Sequence, residues 1–283
     1  MTPLVVAAVL MAAVTHASWN AIAHGIRDQL LAFTLVGGGG AVCGAALAAV
    51  APLPASGAWP CLLASVVLHV VYQVLLMQSF RLGDFGQMYP IARGTAPLVV
   101  TVLAAVFVHE FPGRWALAGV ALASAGLVGV ALWGIRGSGA PPHWPAIVAA
   151  LATGLSIAAY TTVDGVGVRA SGTSLGYVAW LLVLQGLVIP GYTLAVRRGR
   201  LLTELRPFAV RGLTGGAISV IAYGVVLWAQ TRAPLAPIAA LRESSIIVGA
   251  AIGTLFFKER FGAPRIAAAA LMVLGIGLML HTG

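Results

Sequence analysis

The sequence predicts an all-α integral membrane protein of ten transmembrane helices, arranged as two inverted five-helix repeats. Three observations predict it. The chain of 283 residues is 60% hydrophobic and only 8% charged, whereas soluble domains carry about 25% charged residues, so lipid must be its outer solvent. Its apolar residues fall into runs long enough to cross a hydrocarbon core, which takes about 20 residues. Its two halves match each other in one ungapped register.

The runs span 3–23, 31–51, 60–79, 87–108, 115–134, 145–163, 175–196, 208–230, 234–257 and 263–281. Inside lipid every backbone group needs a partner within the protein, which leaves helices or a closed barrel. Barrel strands alternate polar and apolar residues over about 10 positions; a stretch such as 117–130 does not alternate, so the runs are helices. The first run begins at Pro3 with no Lys or Arg before it and is therefore expected to be a retained helix rather than a cleaved signal. Cys43 and Cys61 sit in or beside apolar runs without metal-type spacing and are expected to serve as packing residues. Only the connections 135–143 and 197–207 are long enough to notice, and neither holds a soluble domain, so any chemistry lies within the bundle or at its mouths.

A net charge of +9 raises nucleic acid as a partner. The basic residues lie mostly in short loops between apolar runs rather than on one face, which excludes that partner and fits helix orientation in a bilayer. Odd-numbered loops hold Arg27, Arg81, Arg136, Arg197, Arg198, Arg200, Arg206, Lys258 and Arg260, against Arg114, Arg169 and Arg232 in even-numbered ones. That asymmetry places the odd loops inside and both termini outside.

Shifting the chain by 149 residues aligns Arg93 with Arg242, Val99 with Val248, Phe107 with Phe256 and Glu110 with Glu259. The same shift aligns Gly113 with Gly262, Leu122 with Leu271 and Gly126 with Gly275. Two five-helix halves follow, 1–136 and 144–283. Five is odd, so the second half enters the membrane in the opposite sense, an architecture shared by many secondary transporters.

Two stretches carry a family resemblance: His16-Ala-Ser-Trp-Asn20 in the first run and Tyr89-Pro-Ile-Ala-Arg-Gly-Thr-Ala-Pro97 in the fourth. With the turns at Glu110 and Glu259, each followed by an apolar helix with a central glycine, they resemble the EamA-type branch of the drug/metabolite transporter superfamily. The resemblance implies ten helices, inverted five-helix repeats and a central cavity with alternating access. It also implies movement of metabolites, amino acids or toxic compounds without ATP, and cytoplasmic termini. The last point opposes the loop charges, and orientation stays open.

Polar residues inside the runs are the candidate site, because an Arg at a helix centre costs about 2.5–3.5 kcal/mol on insertion scales. Arg93 and Arg242 lie well inside runs four and nine at matching positions, and are expected to flank a cavity that holds an anionic group. The alternative is a structural pair satisfied by helix-end carbonyls or by Glu243. Glu243 itself is either a proton-accepting carboxylate or a permanent counter-ion. His16, Trp19 and Asn20, spaced i, i+3, i+4, form one stripe that is expected to line the cavity. His69, Tyr72 and Gln73 repeat the spacing, as do Tyr160 with Asp164 and Ser219 with Tyr223 at i, i+4; such stripes also glue helices together, at about 0.6 kcal/mol per bond. Glu110 and Glu259 are expected at helix ends, pairing with a loop Arg or fixing a turn. Pro90 and Pro97 are expected to kink run four and free carbonyls near Arg93. The expected substrate-binding set is His16, Trp19, Asn20, Tyr89, Arg93, Tyr160, Tyr223, Arg242 and Glu243.

The chain has no Walker A sequence, no H-E-x-x-H and no G-x-S-x-G. No cofactor or metal and no enzymatic activity are therefore expected. The leading expectation is a secondary active transporter in the cytoplasmic membrane, monomeric or homodimeric. Its substrate would be a small anionic or zwitterionic metabolite, with protons as a candidate coupling ion. The alternative is a membrane-embedded enzyme or channel acting on phosphate- or carboxylate-bearing substrates, for which no nucleophile or base constellation stands out beyond His16 and Asp164.

Overall fold

Among the described residues the chain is helical throughout, with no strand. The structure, a computed structural model, describes all residues except 25, 27, 83–84, 138–142, 249–262 and 282–283; of 20–24, 80, 85–87, 89–90, 130–137 and 264–265 it describes the backbone alone. The helices are α1 (Pro3–His24), α2 (Gln29–Ala48), α3 (Trp59–Leu82), α4 (Phe85–Leu103), α5 (Arg114–Gly137), α6 (Trp144–Ala170), α7 (Ser174–Arg197), α8 (Ala209–Gln230), α9 (Leu235–Arg242) and α10 (Ala263–Leu280). Of these ten all but α9 run 18 residues or more, and a five-residue helix at Leu201–Leu205 lies between α7 and α8. Five described stretches are long and apolar enough to cross a membrane by length and composition: Gln29–Ala48, Ser56–Ser79, Ile91–Val108, Trp144–Ala170 and Ser174–Gln230.

Local chemistry sets several ends. Asp28 accepts the Leu30 and Leu31 backbone N–H groups and opens α2. Thr173 accepts the Gly176 N–H at 3.1 Å and opens α7, just after Gly172 takes the left-handed conformation (φ +69°) that only glycine adopts without cost. The Glu110 carboxylate accepts the Leu235 N–H at 2.7 Å, capping α9 from a distant part of the chain. Its expected role at a helix end is thus a cap. Glu259 lies outside the described residues, as do Lys258, Arg260 and the positions aligned with Phe107 and Gly113.

Run four is helical through Pro90 and Pro97 as α4 and continues as a π turn over Ala104–Val108; Pro97 cannot donate to the carbonyl of Arg93. The interruption falls in run nine. From Glu243 to Ile247 the backbone bonds tighten to i→i−3, Glu243 to Ala240 and Ser244 to Leu241, then Ile246 to Glu243 and Ile247 to Ser244. The Ser244–Ser245 pair explains it, because short hydroxyl side chains compete for backbone groups and weaken a regular helix.

The chain packs as two units. Unit 1 comprises Met1–Val6, Val71–Thr162 and Ala233–Gly283, and unit 2 comprises Ala7–Val70 and Val163–Arg232. These are not the halves 1–136 and 144–283; each unit draws helices from both. In unit 2, α2 packs on α7, its counterpart 149 residues on. The contacts are reciprocal. Gly37 faces Gly186, which lies 149 residues after it; Gly37 faces Pro190 while Gly186 faces Ala41; and Thr34 hydrogen-bonds Thr193 at 2.8 Å while Gly44 faces Val183. In unit 1, α5 packs on α10 in the same way: Gly119 faces Gly275, and Gly126 faces Ala268. As residue number rises along one helix it falls along its counterpart, so both pairs are antiparallel. A Cβ on Gly275 would lie 2.6 Å from the Gly119 carbonyl oxygen, so these backbones meet at a distance that only glycine permits.

Candidate functional site

Unit 1 gathers four of the expected site residues. Arg93 on α4 is 2% exposed and donates through Nε to Glu243 Oε2 at 2.7 Å. Its Nη2 donates to Ser245 Oγ at 3.1 Å. The tightened turn after α9 carries both acceptors, so the irregularity there positions the ion pair. Arg242, the last residue of α9, is buried too; its Nη2 reaches Tyr160 Oη on α6 at 3.4 Å, a long contact. The Tyr160 ring is in turn stacked edge-on by Tyr72 from α3, with centroids 5.5 Å apart. Both guanidiniums act electrostatically on the Glu243 carboxylate.

The counterparts of these residues explain the charge balance. Arg93 and Arg242 match each other, but the position 149 residues before Glu243 is Gly94. The Arg93–Glu243 pair therefore has no mirror image. Among the described residues the cluster brings two guanidiniums to one carboxylate. Removing one partner of a buried pair strands the other and costs about 3–5 kcal/mol.

Unit 2 holds a second cluster that the expected set touches only through Tyr223. Asp164 on α6 is fully buried. Tyr177 Oη on α7 donates to its Oδ1 at 2.9 Å, Tyr223 Oη on α8 donates to its Oδ2, and Ser65 on α3 is a further hydrogen-bond partner. The His69 ring packs edge-on against Tyr223 with centroids 5.4 Å apart. The sequence ends run six at 163 because an acid follows, yet α6 continues to Ala170 and carries Asp164 into the protein. The signal available was the i, i+4 pair Tyr160 and Asp164, but its members go to different clusters.

On the first helix Trp19 Nε1 donates to His16 Nδ1 at 3.2 Å and the two rings meet edge-on along α1. The side chains of Asn20 and Tyr89 lie outside the described residues. Ser219, expected beside Tyr223 as a polar stripe, donates back to the Gly216 carbonyl. An open cavity of about 550 Å³ lies elsewhere, over Val196, Arg197, Arg198, Gly199, Arg200 and Glu204. There Arg197 pairs with Asp28 at 2.5 Å and Glu204 at 2.6 Å.

Residues 144–281 match the EamA-like transporter family. The match covers the second half of the chain. The EamA-like family consists of membrane transporters rather than enzymes, and with the apolar helices this makes the chain a multi-pass membrane protein. The chain is also similar to a solved structure described only as "Crystal structure of protein". The two are 16% identical over 98% of this chain and 95% of that one, with a TM-score of 0.70, a likeness of fold alone. No protein of curated function matches this sequence.

Proposed function

We propose that the chain is a secondary active transporter that moves a small carboxylate-bearing metabolite, an amino acid or organic acid, across the cytoplasmic membrane by alternating access. Ten crossings in two inverted five-helix halves, 1–136 and 144–283, belong to this reading. The reciprocal, antiparallel packing of α2 on α7 and α5 on α10 supports it, since counterparts that meet antiparallel are what inversion requires.

One observation carries the substrate class: two buried guanidiniums, Arg93 and Arg242, converge in one place, Arg93 on Glu243 and Arg242 on Tyr160. Guanidinium N–H donors held together at this depth suit a substrate carboxylate, which accepts from them in charge-assisted bonds. In this reading Glu243 is a fixed counter-ion that holds Arg93, Tyr160 orients Arg242, and Arg242 receives the substrate through a charge-assisted, two-point contact.

A thermal-shift screen of purified protein against carboxylates, amines and neutral metabolites tests the class, because a ligand bound only by the folded state raises stability. A carboxylate hit should drive uptake of the same compound into proteoliposomes. In Arg242→Met its affinity should fall by about 2 kcal/mol, roughly 30-fold, with poor rescue by Arg242→Lys. If the compound transported is a cation and Arg242→Met binds it as the parent does, the anion site is refuted.

A further inference from the structure

We infer that Asp164, with Ser65 and His69 beside it, is a proton-binding site distinct from the Arg93–Glu243–Arg242 cluster. The geometry is that of a carboxylate enclosed by neutral donors. Each oxygen has its own tyrosine, Tyr177 on Oδ1 and Tyr223 on Oδ2. Among the described residues no Lys or Arg pairs with it. The groups that face it come from three helices: Cys61, Ser65 and His69 from α3, Tyr177 from α7 and Tyr223 from α8. Of these His69 alone becomes a cation.

A buried carboxylate without a permanent cation needs a proton to be neutral, either on itself or on the nearby imidazole. The two groups then titrate as a pair. Cys61, Ser65 and His69 stand at i, i+4 and i+8, one stripe of α3. His69 Nδ1 lies 2.9 Å from the Ser65 carbonyl, which only accepts, so that nitrogen carries a hydrogen. The same nitrogen lies 3.1 Å from Ser65 Oγ, and the Ser65 hydroxyl also acts on the Asp164 carboxylate. Imidazole, hydroxyl and carboxylate therefore form one polar group in which a proton can be held. A metal cation fits poorly, because both carboxylate oxygens already accept from hydroxyl donors. Glu243, by contrast, is occupied by a guanidinium at 2.7 Å.

That the proton serves coupling rests on the transporter reading; the site itself does not, and the following experiment tests the site without a substrate. Parent protein reconstituted in liposomes is titrated with acid and followed by difference infrared spectroscopy in the C=O region of protonated carboxyls. A band should appear in the parent, be lost in Asp164→Asn and persist in Glu243→Gln. In Tyr223→Phe it should move to higher wavenumber, since one hydrogen bond to the carboxyl is removed. No such band in the parent, or a band retained in Asp164→Asn, overturns the inference. Should Asp164→Asn fail to fold, Tyr223→Phe and Ser65→Ala decide: a band unmoved in both overturns it, and a shift in either sustains it.

Discussion

Arg93 and Arg242 stand out in the sequence because an arginine within an apolar run of membrane-spanning length has no cheap place to go. Their partners do not stand out. Arg93 meets Glu243 across 150 residues of chain, and nothing in the spacing distinguishes an acid that pairs with the preceding Arg from one that pairs with its distant counterpart. Asp164 is the opposite failure: its charge marks it as the end of a run, and only α6 extending beyond it reveals a buried group. The Glu110 carboxylate was legible as a helix-end residue, but which end it serves was not. Since it caps α9, Glu110→Ala should lower thermal stability by about 1 kcal/mol, with Glu110→Gln, still an acceptor, losing less. Equal losses in the two variants would remove the capping role.

At the scale of elements, periodicity and length located the helices, because lipid permits little else. What they did not locate was the irregularity. Prolines drew attention to run four, where α4 runs through both, whereas the tightened turn in run nine at Glu243–Ile247, where serines and buried charges sit together, carried no such mark. The glycines divide in the same way. Gly275 meets Gly119 and Ala123 at close range, while Gly277, two residues on, has open space around it. Gly275→Leu should therefore destabilise the purified protein by about 1–3 kcal/mol through overpacking. Gly277→Leu should stay within about 0.5 kcal/mol of the parent. Similar melting temperatures for the two variants would show that α5 and α10 do not pack as described.

For the whole molecule, the membrane class was plain from composition, and the half-chain register was visible because it is ungapped at Arg93/Arg242 and Gly126/Gly275. The division into packing units was not visible, since each unit joins helices from both halves and sequence order carries no trace of that exchange. Reporter fusions test the proposed ten crossings. Tags at Met1 and Gly283 should report the same compartment, and tags in loops 81–86 and 231–233 opposite ones; termini in different compartments would end the ten-crossing reading. The glycine contacts carry one more implication. When Gly119 meets Gly275 and Gly126 meets Ala268, each helix shows its counterpart the face that the counterpart shows in return, which is how two copies of one polypeptide meet across a dyad. If the two halves are the inverted repeats proposed above, a half-length ancestor would have needed no different surface to dimerise with an upside-down sibling, and fusion of two copies would leave Gly94 and Glu243 free to diverge.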